Sequence, residues 1–302
     1  MNMPAWAEGV VDPAVRLESV NGVLRAALPG NDPAITFYRD AGGAHFQERS
    51  RVGYAMTTLD TSVYHGYLAG IRPADLNAVI VDVGGGDGRN ALPWLEWGYR
   101  RLVVIDPAGA ALERLRAAIA GRDPQWLDRV LLIEADARTL PLRSNVAARI
   151  FAIEALAYLN EDYGCGVREC ARAMAADGRV LLADRDYEGA LLTRLFYGGG
   201  IAGMLAQGDT RDVVDGNADC SVRSRCFTFD ELTREIEHAG LRIVASYGVS
   251  AMSLVLGYLR NTGRITPEDD SRLPEVHRLL AALGREGAMR RSHVIIAEHA
   301  GA

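Results

Sequence analysis

Residues 79–90 read Val-Ile-Val-Asp-Val-Gly-Gly-Gly-Asp-Gly-Arg-Asn, an apolar run that carries one acid and then breaks into glycines. Val79, Ile80, Val81 and Val83 are β-branched and show no polar alternation, the pattern of a strand covered on both faces. Gly84, Gly86 and Gly88, with Gly85 among them, allow a tight turn and a close approach of backbone to a ligand. A strand that turns into a helix in this way lies at the carboxyl end of a sheet, where open α/β folds bind ligands.

Three ligand classes compete for such a turn. A P-loop needs a lysine beside its glycines, and the chain contains none: all 33 basic residues are arginine. A dinucleotide fingerprint counted from Gly84 finds Gly86 in place but Arg89 where a third glycine packs helix on strand. The stretch resembles instead the Asp/Glu-x-Gly-x-Gly-x-Gly motif of class I S-adenosylmethionine-dependent methyltransferases, as Asp82, Gly84, Gly86 and Gly88. That resemblance implies a sulfonium ligand with an amino-acid tail and no phosphates. Its ammonium group favours an acid near the turn, which Asp82 supplies directly or through water.

The flanking sequence extends the pattern. Leu102–Ile105 reads as a second strand ending at Asp106-Pro107, and the step from Gly84 to Asp106 is near the ~20 residues that set an acid beside a ribose. A carboxylate there can accept both ribose hydroxyls. After a helix with Leu112, Leu115 and Ile119 inward, the strand Val130–Ile133 leads to Glu134-Ala135-Asp136-Ala137-Arg138. The resemblance implies that Asp136 and Ala137 hold the adenine, by side chain and backbone N–H respectively. Ala148–Ile153 runs into Glu154-Ala155-Leu156-Ala157-Tyr158, and the same resemblance sets Glu154 and Tyr158 at the cleft floor. A helix from Tyr163 to Ala176 stopped by Gly178, a strand Arg179–Ala183, and strands Leu241–Tyr247 and His293–Glu298 complete the expected fold. It is an α/β, doubly wound, mostly parallel seven-stranded Rossmann-like sheet whose last two strands pair antiparallel. Thr228-Phe229-Asp230-Glu231 is a capping box that starts a helix stopped by Gly240.

Two further regions surround this core. Residues 1–78 form an expected helical and aromatic cap. Residues 1–34 read as short helices and loops, and 35–72 carry Phe37, Tyr38, His45, Phe46, Tyr54, Tyr64, His65 and Tyr67. From 51 to 70, Val52, Met56, Leu59, Val63 and Tyr67 share one helical face, leaving Tyr54, Thr58, Thr61 and His65 on the other. Tyr38 is the cap's candidate for cofactor contact. Within 79–302, insertions at about 188–226 and 249–291 depart from a minimal core. The first sits at the carboxyl edge, placed to act as a lid over the acceptor or as a contact in a homodimer.

Composition narrows the rest. With 302 residues, 49% hydrophobic, and a net charge of -6, the chain can bury a large core and has no electrostatic footprint for nucleic acid. It shows neither a leader pattern nor a long apolar run, so a cytoplasmic, membrane-free protein is expected. Cys165, Cys170, Cys220 and Cys226 lack metal-clip spacing. Asp184 and Asp186 at a strand end could bind a divalent metal together with Asp162, but no metal is expected. Methyl transfer from a sulfonium needs chiefly contact, alignment and exclusion of water. If the acceptor is a hydroxyl or an unactivated carbon, a base must lie within reach; the candidates are His65, Glu154, Asp186 and Tyr187. The expected activity is methyl transfer to an O, N or C atom of a small molecule. The rivals are a non-catalytic S-adenosylmethionine-binding subunit and a nicotinamide oxidoreductase.

Overall fold

The computed structural model describes residues 3–39, 54–208, 210–216, 221–264, 275, 276, 279, 282 and 289–301, with the side chains of 54–60, 216, 260 and 261 left aside. His45, Phe46, Val52, Cys220 and His277 lie outside the described residues. Eleven strands and nine α-helices are named here. They are β1 (Glu18–Val20), β2 (Val23–Arg25), α1 (Pro33–Phe37), α2 (Tyr54–Gly70), β3 (Val79–Val83), α3 (Leu92–Glu96), β4 (Arg101–Asp106), α4 (Gly109–Arg122), β5 (Val130–Glu134) and β6 (Ala147–Ile153). There follow α5 (Tyr163–Ala173), β7 (Met174–Arg185), α6 (Tyr187–Tyr197), α7 (Gly200–Gln207), β8 (Asp212–Gly216), β9 (Ser221–Arg225), α8 (Phe229–His238), β10 (Leu241–Ser250), α9 (Met252–Asn261) and β11 (Arg290–His299).

The sheet order is β1-β2-β5-β4-β3-β6-β7-β11-β10, and β8 with β9 forms a separate two-stranded sheet. β3 lies between β4 and β6, parallel to both, and every residue of Val79–Val83 is buried. Alternate side chains of that strand enter different layers. Ile80 packs with Leu68, Trp94, Leu112 and Leu115, whereas Val81 and Val83 pack with Val167, Cys170 and Ile236. That two-sided burial is why the run carries no polar alternation. β11 pairs antiparallel with both β7 and β10, the expected ending of the sheet.

Three expectations need correction. The sheet has nine strands among the described residues rather than seven, because a hairpin at 18–25 joins the edge, β2 running parallel to β5. Three-residue strands carry too little pattern to be read from sequence. The helix from Tyr163 ends at Ala173 rather than Ala176, since β7 begins at Met174 and pairs with Ala147. Among the described side chains of α2 the buried ones are Val63, Tyr64, Tyr67 and Leu68, so its apolar face takes in Tyr64 beside the expected Val63 and Tyr67. The capping box of α8 is formed as expected: Glu231 N–H donates to Thr228 Oγ1 at 3.3 Å and Thr228 N–H to Glu231 Oε2 at 2.8 Å.

Candidate active site

The carboxyl ends of β3, β4, β5, β6 and β7 bring the candidate residues to one edge. After β3 the backbone turns with Gly84 and Gly85 N–H groups both donating to the Ile105 carbonyl, at 2.7 and 3.2 Å. This ties the glycine turn to the end of β4. Gly86 has φ +50°, a region costly for a side chain, and among the described residues the only atom within 4 Å of its Cβ direction is Asp106 Oδ2 at 3.9 Å. A side chain there would occupy open cleft, whereas at Gly88 (φ +84°) it would collide with Leu115 of α4. Gly86 is thus the cradle's floor and Gly88 its seat on the core.

Asp106 takes the Gly86 N–H on Oδ2 and the Ala108 N–H on Oδ1, each at 2.8 Å. Each oxygen keeps a lone pair toward the cleft. Burial pushes its pKa up to about 6, against the lowering by those two backbone donors. Pro107 follows directly and is half-buried. Asp82, 2% exposed, has no hydrogen-bond partner for Oδ2 among the described residues. Burial, and next the neighbouring Asp106 charge, raise its pKa well above the ordinary range. A buried acceptor without a donor is costly unless a ligand or water supplies one.

Asp136 and Ala137 follow β5. The Asp136 carboxylate takes Arg138 Nε at 2.9 and 3.1 Å. Arg138 also bonds Asp32, the N-cap of α1, and Asp162 at 3.1 Å. This arginine is a hub that fastens the N-terminal segment to the loops after β5 and β6. It stood two residues from a quoted candidate, but its partners lie 106 and 24 residues away, beyond any local signal.

Glu154 has φ +54° and follows β6, beside the glycine turn: a side chain on Gly84 would strike Ala155. Its Oε1 accepts from Tyr64 Oη at 3.1 Å, Ser292 Oγ at 3.3 Å and Arg291 Nη2. Burial acts to raise its pKa, but the charges of Arg291, Arg185 and Arg89 outweigh it and hold the carboxyl down to about 2. Such a weak base is a poor acceptor of a proton at neutral pH. His65 binds the Arg89 carbonyl through Nε2 at 3.0 Å, on the glycine turn, and burial lowers its pKa. Tyr187 begins α6; its hydroxyl donates to the Gly208 carbonyl, and Arg211 lies 4.0 Å over its ring. It therefore braces the first insertion. Asp186 caps α6 through the Gly189 N–H at 3.0 Å and meets His293 Nε2 at 2.7 Å. Asp184 accepts from Tyr163 Oη at 2.8 Å, burial pushing it up to about 7.

A second polar cluster was not anticipated. Tyr38 meets Tyr158 edge to face, ring centroids 5.0 Å apart, and donates a hydrogen bond to its hydroxyl. Tyr158 Oη donates to Asp215 Oδ2 at 2.9 Å, and Arg185 Nη1 reaches the same oxygen at 2.8 Å. Tyr38 is thus placed with the β6 loop and the β8–β9 hairpin. Among the described residues no group of three His, Cys, Asp or Glu side chains is arranged to hold a metal ion.

A glycine turn on β3, an acid ending β4 and an antiparallel β7-β11-β10 ending together define the class I methyltransferase fold. Residues 80–178, about a third of the chain, match the family model described as methyltransferase domain. Aclacinomycin 10-hydroxylase RdmB of Streptomyces purpurascens is 36% identical over 120 residues, 39% of this chain and 31% of the relative. The match thus spans about a third of that relative's length. The CcbJ methyltransferase from Streptomyces caelestis superposes with a TM-score of 0.54 at 14% identity, covering 80% of this chain and 96% of CcbJ. The [4+2]-cyclase SpnF gives 0.53 at 16% identity over 79% of this chain and 81% of SpnF.

Proposed function

We propose that the chain binds S-adenosylmethionine in the cradle of Asp82, Gly84, Gly85, Gly86, Gly88, Asp106, Pro107, Asp136 and Ala137, and transfers its methyl group to a small molecule. The observation that carries this reading is the pairing of Asp82 and Asp106: one buried carboxylate oxygen without a donor beside a second carboxylate with lone pairs to spare. The first suits an ammonium group, the second a ribose diol. When bound, the cofactor supplies an electrophilic methyl on a good leaving group. The chain's part is to align the acceptor and exclude water. Tyr38, Tyr158 and the β8–β9 hairpin form the acceptor side. His65, half-buried on α2 beside the glycine turn, remains the proton acceptor if one is used. Glu154 serves better as the anion that neutralises Arg291 and Arg185, and Tyr187 as a brace. No described helix is long and apolar enough to cross a membrane; a cytoplasmic setting is part of the same proposal, and the net charge of -6 favours a small-molecule acceptor over nucleic acid.

The test is calorimetric titration with S-adenosylhomocysteine and, in parallel, NAD. Micromolar binding of the first alone is expected; tight binding of NAD would transfer the cradle to an oxidoreductase. A hydroxylase among the relatives gives a second reading, in which the cofactor is held while different chemistry proceeds. Methyl-labelled cofactor separates the two, since only transfer moves the label to the acceptor. Gly86→Val should abolish binding at a stability cost of about 1–2 kcal/mol, the penalty of the left-handed backbone. Undiminished binding in that variant, read by the same titration, would remove Gly86 from the floor of the cradle.

A further inference from the structure

We infer that Arg185 and Tyr158 form an anion subsite for the acceptor, and that Asp215 covers it while no acceptor is bound; the acceptor half of this statement rests on the function proposed above. Three donors converge on Asp215 Oδ2: Arg185 Nη1 at 2.8 Å, Tyr158 Oη at 2.9 Å and Ser224 Oγ at 3.3 Å. Arg185 and Tyr158 belong to the core, one ending β7 and the other following β6. Asp215 and Ser224 belong to the β8–β9 hairpin, whose two strands pair with each other and not with the nine-stranded sheet. The carboxylate on the subsite is therefore carried by an inserted element.

The position of the subsite makes it a place for an acceptor. Arg185 contributes to the low pKa of Glu154, whose neighbour Ala155 abuts Gly84 of the cofactor turn. The Tyr38 and Tyr158 rings supply an aromatic wall beside it. An acceptor with a carboxylate on an aromatic body matches both halves: the anion takes the guanidinium and the phenol, and the ring takes the wall. Exchange of Asp215 for such an anion leaves the half-buried Arg185 paired throughout, which avoids the penalty of an uncompensated charge away from water. The hairpin is also tied to the loop after β6, by Arg223 to Glu161 at 2.6 Å and by Asn160 Nδ2 donating to the Arg223 carbonyl at 3.4 Å, while the Arg223–Asp212 pair at 3.2 Å lies within the hairpin. The Arg223, Glu161 and Asp212 side chains are 44%, 76% and 45% exposed, a setting in which ion pairs hold little.

The experiment compares 1-naphthoate with the neutral 1-naphthamide as calorimetric probes, using wild type, Asp215→Asn, and Asp215→Asn with Arg185→Gln. Removal of the covering charge is expected to raise naphthoate affinity at least tenfold over wild type and to leave naphthamide at least tenfold weaker. Adding Arg185→Gln should abolish that preference. Equal binding of the two probes to Asp215→Asn, no gain over wild type, or a preference that survives Arg185→Gln would overturn the assignment. Tyr158→Phe keeps the Arg185–Asp215 pair and covers the case in which Asp215→Asn does not fold. It should lower wild-type naphthoate affinity several-fold with naphthamide unchanged, and equal effects on both probes would overturn the subsite. S-adenosylhomocysteine binding by wild type, measured alongside, reports on the cofactor cradle separately. A chain that binds S-adenosylhomocysteine but does not discriminate the probes loses the anion subsite alone.

Discussion

Asp106→Ala is expected to weaken S-adenosylhomocysteine binding by about 1–3 kcal/mol, roughly 5- to 150-fold, with the fold retained. The carboxylate has two duties at once. It takes the N–H groups of Gly86 and Ala108, so it shapes the turn, and its remaining lone pairs face the ligand. Asparagine separates the two: Asp106→Asn keeps one acceptor oxygen and should fall between alanine and wild type. The effect carries a pH signature. Burial pushes Asp106 up to about 6, so the acceptor pair is intact at pH 8 and loses an oxygen to protonation below about pH 6. Affinity should accordingly be flat from pH 7 to 8 and decline toward pH 5, and the decline should be absent in Asp106→Asn. Calorimetry across that range, with circular dichroism to check the fold, decides it. Unchanged affinity in Asp106→Ala would place the ribose elsewhere.

Glu154→Gln should be the most destabilising of the conservative substitutions at the cleft. The charged form meets Arg291, Tyr64 and Ser292; the amide gives up the charge that pairs with the largely buried Arg291 guanidinium, and losing one partner of such a pair is strongly destabilising. Glu154 is held at about 2 in the folded chain against a reference value of 4.5, which corresponds to ~3 kcal/mol of stabilisation. Because the folded value is the lower one, that contribution is complete above about pH 4.5 and disappears as the pH falls through 2. Urea denaturation should therefore show a large gap between variant and wild type at pH 7 that narrows below pH 4. Equal stability at pH 7 would mean that the Arg291 pair is not formed in solution.

The parts legible in the sequence were those whose signal is local. The run at 79–83 announces a two-sided strand because each alternate residue enters a different apolar layer. Asp106 was reachable because its distance from Gly84 is set by one helix and one strand. Thr228 and Glu231 sit in a single turn. What escaped depends on groups brought together from afar. Glu154 read as a floor residue free to take a proton, and only Arg291, 137 residues on, makes it a fixed anion. Tyr38 carried no local sign that it packs on Tyr158, which in turn bonds Asp215 of the hairpin. Arg185, between two acids, had no local mark of being the one with an inserted partner. The β1–β2 hairpin was missed because its pairing with β5 is made by two residues, Leu24 and Arg25, too few for periodicity to register.

The antiparallel ending of the sheet sets an order of assembly. β11 follows both β7 and β10 in the sequence, yet it fits between them, so those two strands wait apart with open edges until residues 290–299 arrive. β11 also brings Arg291 and Ser292 to Glu154. During synthesis, then, Glu154 lacks its Arg291 and Ser292 partners until residues 290–299 have emerged from the ribosome. A nascent chain halted just short of β11 should hold the glycine turn in place but leave that acid and two strand edges exposed, a species prone to aggregation.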